Sequence, residues 1–482
     1  MLKKPLTICI IALTLAWVMA PFAAAQELPE VTCEAYVVMD ADTGQVIMEK
    51  NPDQMMYPAS ITKIMTLALA MEKAQGDWSE QRTISQEVTT SLEQGSSHIA
   101  LLPGEVVSLQ DLIYGTQLES ANDGANALAE YISDDDTIQG GVDKMNQKAQ
   151  QLGLTNTHYM NPHGLHDAQH YTTARDMANL TRWALSVPGF LEVFSRKESW
   201  PMEATNMQPA RTFWCADLMR VGGATYYRDY VVGSKTGYHD QAGHTLVTYA
   251  QQDGINLISV VLKSAATKVH FLDTAALLDY AFAHYSRVEL AAPAETLSVP
   301  LMGGGETALG NLTLTPAGAS ALLNDAFTAQ DVTVEYAVPE HYLLGQGFKA
   351  QILYKLPESN GIQPSLVAAV DMKVSGLAAL LEANTQLVEA KPYLDPLVWK
   401  VGLGAGVAVL AAIVAAAAAG LKRKGGAAAV ARQKASQNQQ ESWLPDSPFV
   451  VYQPSPRWEQ RTNRTGEQIR RRPGQNNQLP RR

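Results

Sequence analysis

Apolar and polar positions alternate along this chain in two distinct rhythms. Residues 35–40 (Ala-Tyr-Val-Val-Met-Asp) and 45–50 (Gln-Val-Ile-Met-Glu-Lys) are short apolar-rich runs. Ala-Asp-Thr-Gly separates them, which predicts a β-hairpin. The period then changes. Ile61, Ile64, Met65, Ala68 and Leu69 recur at helical spacing, unbroken until Gly76. Pro58 and Ser60 stand ahead of them as start signals, so Ser60 is expected at the N-cap or first turn of a buried helix. From about 80 to 185 the pattern is mostly helical, with loops at 93–97, 103–104 and 134–141. Strand signals resume at 230–236, 244–251 and 255–263, and residues 273–285 close with a helix. Two strands, a helical block, three strands and a final helix are most simply assembled as an α+β domain. Its antiparallel five-stranded sheet is built from both ends of the segment and flanked by helices. Residues 291–392 are punctuated by Gly and Pro around short runs at 312–315, 332–336 and 350–354, and read as a small β-rich second domain.

The two ends add an address. Lys3 and Lys4 precede an apolar run over 6–20 and then Ala23-Ala24-Ala25, so residues 1–25 are expected to be a signal peptide, leaving 26–290 as the first folded domain. Near the other end, 401–421 is a run of 21 residues without a charge, which predicts a transmembrane helix over 397–421. Lys422-Arg423-Lys424 follows at once and places residues 422–482 in the cytoplasm. That tail carries thirteen Lys and Arg against four Asp and Glu, and everything before it sums to about −20. Rich in Gln, Asn, Pro and Ser, the tail is expected to be disordered and drawn to anionic lipid. Nucleic acid is not an expected partner, because no aromatic interleaving or folded module accompanies the arginines. The expectation is a single-pass membrane protein with its bulk outside the cytoplasm. Cys33 and Cys215 lie far apart, and their spacing establishes no disulfide.

Chemistry concentrates in three places. Ser60 and Lys63, three apart on a helix, share one face. A serine hydroxyl needs a base beside it, and a lysine amine can be that base when burial or a nearby cation lowers its pKa. Ser120-Ala-Asn122 supplies a second hydroxyl able to relay a proton and an amide with both donor and acceptor. By itself it also suits an Asx-type turn capping a helix that begins near Gly124. Lys235-Thr236-Gly237 lies on a predicted strand, where a cation and a hydroxyl can meet a carboxylate and a glycine lets a substrate approach the backbone. A P-loop is excluded, because Ser234 separates Gly233 from Lys235 and no upstream glycine has the required spacing.

The order and intervals of these three elements resemble those of penicillin-binding proteins and serine β-lactamases. The surroundings (Pro58-Ala-Ser-Ile-Thr-Lys-Ile-Met-Thr66, Ser120-Ala-Asn-Asp123, and 161–176 with Asn-Pro-His-Gly-Leu-His-Asp) narrow the resemblance to the low-molecular-weight D-alanyl-D-alanine carboxypeptidases over about 33–290. It implies a serine β-lactamase/transpeptidase-like fold and a cofactor-free acyl transfer acting on peptidoglycan stem peptides. In that scheme Ser60 is the nucleophile, Lys63 its base and Ser120 a proton relay. Asn122, Lys235 and Thr236 bind substrate, and the backbone of Ser60 and Tyr238, beside Gly237, forms the oxyanion hole. β-Lactams would acylate the same serine. The chain departs from the family at His239, where a small hydroxyl residue is expected, and in its spanning helix and long tail. His158, His163, His166 and His170 crowd together, but no carboxylate or Cys set with zinc spacing accompanies them, and the resemblance assigns such histidines to loop structure. A class A-like β-lactamase would need a glutamate placed for deacylation, and no stretch after Asn122 convincingly offers one. An idle binding protein does not account for intact Ser60, Lys63, Ser120 and Lys235.

Overall fold

The computed structural model describes residues 28–93, 95–221, 225–303, 308–344, 347–357 and 361–389. The predicted signal peptide, the 397–421 segment and the basic tail lie outside them. Among the described residues no helix is long and apolar enough to cross a membrane.

Five strands form the central sheet: β1 (Ala35–Asp40), β2 (Val46–Lys50), β3 (Val231–His239), β4 (Gly243–Gln252) and β5 (Ile255–Ser264). Their order is β2-β1-β5-β4-β3, antiparallel throughout, so β1 from the start of the domain pairs with β5 from its end, with Tyr36 opposite Val261. The runs are nearly continuous in apolar residues because both faces are covered. Ala35, Val37 and Met39 of β1 enter one core with Val260 and Leu262 of β5, whereas Tyr36 and Val38 enter a second with Leu257 and Val261. A helical block covers the first face: α1 (Lys63–Ala74), α2 (Leu109–Leu118), α3 (Asn122–Ile132), α4 (Ile138–Gln151) and α5 (Ala174–Ser186). A further helix, α6 (Val269–His284), covers the second through Phe271, Ala275 and Leu278. Every residue of α1 from Lys63 to Met71, and every residue of α3, is buried.

One sequence expectation is narrowed and two are corrected. Ser60 is not the N-cap but lies in the first turn, a 3-10 turn over Ala59–Thr62 that leads into α1, and its side chain meets Lys63. β3 does not stop at residue 236 but continues to His239, because Gly237 stays in the ladder opposite Thr245. The stretch read as helical also contains the strand Gln81–Thr83, paired with Val106–Ser108, and α3 begins at Asn122 itself.

After α6 the chain is β-rich. Tyr285–Leu290 pairs with Ala319–Asn324, and Thr333–Ala337, Gln351–Lys355 and Leu366–Asp371 form a three-stranded sheet. Leu301, Leu312, Leu314 and Ile352 lie in its separate core. The Gln45 side chain ties the hairpin loop to this part, donating to the Leu322 carbonyl at 2.7 Å and accepting its N–H at 2.7 Å. Arg287 reaches Asp40 at 3.1 Å.

Candidate active site

The 3-10 turn carrying Ser60 is held open by backbone strain and by clamps on both sides. Ala59 has φ +53°, a conformation that a side chain disfavours. On one side Thr245 of β4 donates to the Pro58 carbonyl at 2.9 Å. On the other, the loop after α4 presses Gly164 (φ +89°) so close that a Cβ there would lie 1.8 Å from the Ala59 carbonyl oxygen. Thr62 and His170 Nε2 meet at 2.9 Å, and the Met160 N–H donates to His170 Nδ1 at 3.2 Å. That pairing leaves the imidazole neutral with its proton on Nε2. Burial agrees, pushing His170 down to about 3. His170 therefore holds this loop against the serine turn, and His163 Nδ1 accepts the Leu165 N–H at 3.2 Å within it.

Lys63 lies at the foot of this turn with no exposed surface. Its Nζ is 2.9 Å from Ser60 Oγ, 2.7 Å from Asn122 Oδ1 and 2.9 Å from the His163 carbonyl oxygen. Desolvation first, and then the Lys235 cation, hold its pKa well below the lysine range, against an opposing pull from Asp123. The neutral amine has two N–H bonds and one lone pair. Asn122 Oδ1 and the His163 carbonyl can only accept, so they take the two N–H bonds and the lone pair faces the Ser60 hydroxyl. The arrangement is that of a base poised on a nucleophile.

Ser120, with φ +55°, presents its hydroxyl from the turn between α2 and α3, 2.8 Å from Lys235 Nζ. Asp123 fixes that turn by accepting the N–H groups of Ile99, Leu101 and Gly124 at 2.8–3.1 Å. Lys235 is pushed down to about 7 by desolvation, against an opposing electrostatic pull from Cys215 and Asp217. It opens on a cavity of about 230 Å³ lined by Ser120, Cys215, Arg220 and Thr236. Beneath the strand, Ser234 donates to Asp217, which pairs with the buried Arg220 at 2.7 Å. Gln117 donates to the Ser234 carbonyl at 3.0 Å. A larger cavity of about 720 Å³ opens elsewhere, between β2 and Leu366–Val370, but no serine–lysine pair lines it.

Gly237 is where the two halves touch. A Cβ there would lie 2.8 Å from Ser60 N and 3.0 Å from the Pro58 carbonyl oxygen, so only glycine lets β3 run against the nucleophile's own amide. Tyr238 follows, with its side chain exposed and stacked on His244 at 4.5 Å. Because β3 is an edge strand, its outer backbone groups are available to an extended peptide.

The sequence-predicted residues Ser60, Lys63, Ser120, Asn122, Lys235, Thr236, Gly237 and Tyr238 thus converge on one groove. Sequence reasoning did not single out Asp123, Gln117, Thr245, Asp217, Arg220 or the His163 carbonyl. Cys215, noted only for a disulfide, is a free thiol in the groove, and Cys33 is a separate free thiol buried in the second core.

The D-alanyl-D-alanine carboxypeptidase family model of serine peptidases (S11) matches residues 22–266. The carboxypeptidase DacF of Bacillus subtilis is 31% identical over 353 residues, covering 72% of this chain and 87% of that protein. DacC of Escherichia coli is 30% identical over 341 residues, covering 69% and 82%. Penicillin-binding protein 5 from Haemophilus influenzae superposes with a TM-score of 0.56 at 26% identity, covering 73% of this chain and 98% of that one. DacD from Francisella tularensis superposes with a TM-score of 0.55 at 25% identity, covering 75% and 97%.

Proposed function

Because the chain belongs to the D-alanyl-D-alanine carboxypeptidase family, we propose that it removes the terminal D-alanine from peptidoglycan stem pentapeptides through an acyl-enzyme on Ser60. The observation that carries this reading is the desolvated Lys63 amine, set between Ser60 Oγ and two groups that can only accept. Lys63 takes the hydroxyl proton as Ser60 Oγ attacks the carbonyl carbon of the penultimate D-alanine. The carbonyl electron pair moves to oxygen, where the N–H groups of Ser60 and Tyr238 hold it. A single such donor is worth roughly 2.7–4 kcal/mol in the transition state. As the carbonyl re-forms, the C–N bond breaks and Ser120 relays the proton held on Lys63 to the departing amine, which leaves Lys63 neutral again. Lys235 and Thr236 hold the carboxylate of that D-alanine, and the Asn122 NH2 group orients the peptide while its Oδ1 positions Lys63. Water then attacks the ester, its proton returns through Lys63, and the tetrapeptide leaves with Ser60 restored. β-Lactams acylate the same oxygen, and the opened ring remains attached.

The same proposal places the enzyme outside the cytoplasm. Residues 1–25 direct export, 397–421 span the membrane, and the basic tail lies against anionic lipid on the cytoplasmic side. The charge asymmetry of the sequence supports this arrangement. Protease added to intact cells should digest the folded part and spare the tail, and the reverse pattern refutes the placement.

The activity is tested by incubating the full chain with a pentapeptide ending in D-Ala-D-Ala while following free D-alanine and the lifetime of a penicillin adduct. D-Alanine release and a long-lived adduct are expected, and Ser60→Ala should abolish both. D-Alanine release by that variant refutes the assignment. Rapid adduct turnover without D-alanine release makes the protein a β-lactamase instead.

A further inference from the structure

Beyond the oxyanion site the groove has an end that the reaction does not use. Along β3, Lys235, Gly237 and His239 share one face. Gly237 abuts Ser60, so His239 falls on the far side of the nucleophile from Lys235. Its ring meets two others from separate segments. Tyr57, just ahead of the serine turn, has its ring centroid 6.1 Å from that of His239, and His166, from the loop anchored at Gly164, has its centroid at 5.5 Å. Tyr57 and His166 pack edge to face at 4.7 Å. The Ala242 N–H points at His239 Nδ1, at 3.1 Å. Burial lowers the His239 pKa, and the nearby His166 adds to that, while Gln241 Oε1, 3.2 Å from Nδ1, and the Asp240 and Glu93 carboxylates act on the ring in the opposite sense. The far end therefore consists of three packed rings, with the Asp240 and Glu93 carboxylates close enough to act on His239. The near end, at Lys235, is cationic, with Arg220 there already paired to Asp217.

A strand rises about 3.3 Å per residue, so His239 lies roughly 13 Å from Lys235. An extended peptide with its terminal carboxylate at Lys235 and its scissile carbonyl at Gly237 places the next residue upstream opposite His239. In a stem pentapeptide that residue is the third, a diamino acid. We infer that Tyr57, His166 and His239, bordered by Glu93 and Asp240, form a subsite for the free side-chain ammonium of this third residue. Ring faces suit an ammonium, and the carboxylates complement its charge. The groove is then polarised to match a substrate carrying a carboxylate at one end and a cation at the other. Because that amine is the group acylated when stem peptides are cross-linked, the subsite selects peptides not yet joined through it.

The inference rests on the carboxypeptidase reading, and its test separates the two. Two pentapeptides differing only in acetylation of the third-residue side-chain amine are compared by D-alanine release from the full chain. The free amine should be preferred at least tenfold in kcat/KM, mostly through KM. His239→Thr should cut that preference at least fivefold by slowing the free-amine peptide. Glu93→Gln, an exposed change that touches none of the rings, should lower it too. Equal rates for the two peptides on the unmodified enzyme, or a preference unmoved by both variants, overturns the subsite. Parallel losses on both peptides in His239→Thr also overturn it, because they mark a structural role. Failure to release D-alanine from either peptide overturns the carboxypeptidase reading and the subsite with it.

Discussion

Asn122→Asp is the sharpest probe of the base. The change keeps the shape of the side chain and places a carboxylate oxygen where Asn122 Oδ1 now lies, 2.7 Å from Lys63 Nζ. At that separation the attraction between unit charges is about 6 kcal/mol for an effective dielectric of about 20. Burying the new carboxylate offsets much of it. The net effect is a Lys63 pKa raised by about 1–3 units, the usual span for an opposite charge in contact. Lys63 is neutral only because burial and Lys235 outweigh Asp123, so the variant returns it toward the ammonium, which has no lone pair for the Ser60 proton. Acylation at neutral pH should therefore fall, by about tenfold (about 1.4 kcal/mol) for each unit by which the variant's Lys63 pKa exceeds the assay pH. The assay is the second-order rate of penicillin labelling from about pH 6 to 10, where the variant's rate should climb tenfold per unit toward that of the parent. A uniform loss with an unchanged pH profile would mean that Asn122 only positions substrate, and the account of Lys63 as a neutral base would fail.

Two further predictions come from the β3 side of the groove. Gly237→Ala puts a Cβ 2.8 Å from Ser60 N and 3.0 Å from the Pro58 carbonyl, both backbone atoms that cannot swing aside. Labelling should slow by about a hundredfold or more, the scale of a misplacement of an ångström, with the protein still folded by circular dichroism; labelling at the parent rate refutes the close approach. With Lys235 pushed down to about 7, the free enzyme loses its carboxylate-binding cation as pH rises through that value. KM for the pentapeptide should therefore climb above about pH 7 while kcat holds, because a bound carboxylate raises the lysine pKa again in the complex. A KM flat across that range would show that Lys235 stays charged without substrate.

The parts of this molecule that a sequence reveals are those with local signatures. The β1–β2 hairpin announces itself through a Gly-containing turn between apolar runs. The three catalytic elements are short strings whose members are neighbours in the chain. What escaped is non-local or too short to have a period. The strand Gln81–Thr83 has three residues and becomes a strand only because Val106–Ser108 lies beside it. The His163 carbonyl is a backbone group a hundred positions from Lys63, and no side-chain pattern advertises it. Asp217 and Arg220 read as ordinary loop charges until folding buries them under Ser234. Of the two places expected for Ser60, the first turn and not the N-cap is the one it occupies, in the 3-10 turn that leads into α1.

The order of strands in the sheet has a consequence in time. Because Tyr36 must find Val261 before β1 has its second neighbour, the sheet cannot close until nearly the whole catalytic domain is present. Such long-range pairing belongs to the slow-folding class of topologies. Ser60 is presented early in the chain, but the strand that supplies Tyr238 and Lys235 reaches it only when β3, β4 and β5 dock. The serine therefore stays chemically silent in a partly made or partly folded chain. Reactivity toward penicillin requires that long-range docking, and covalent labelling therefore reports on it.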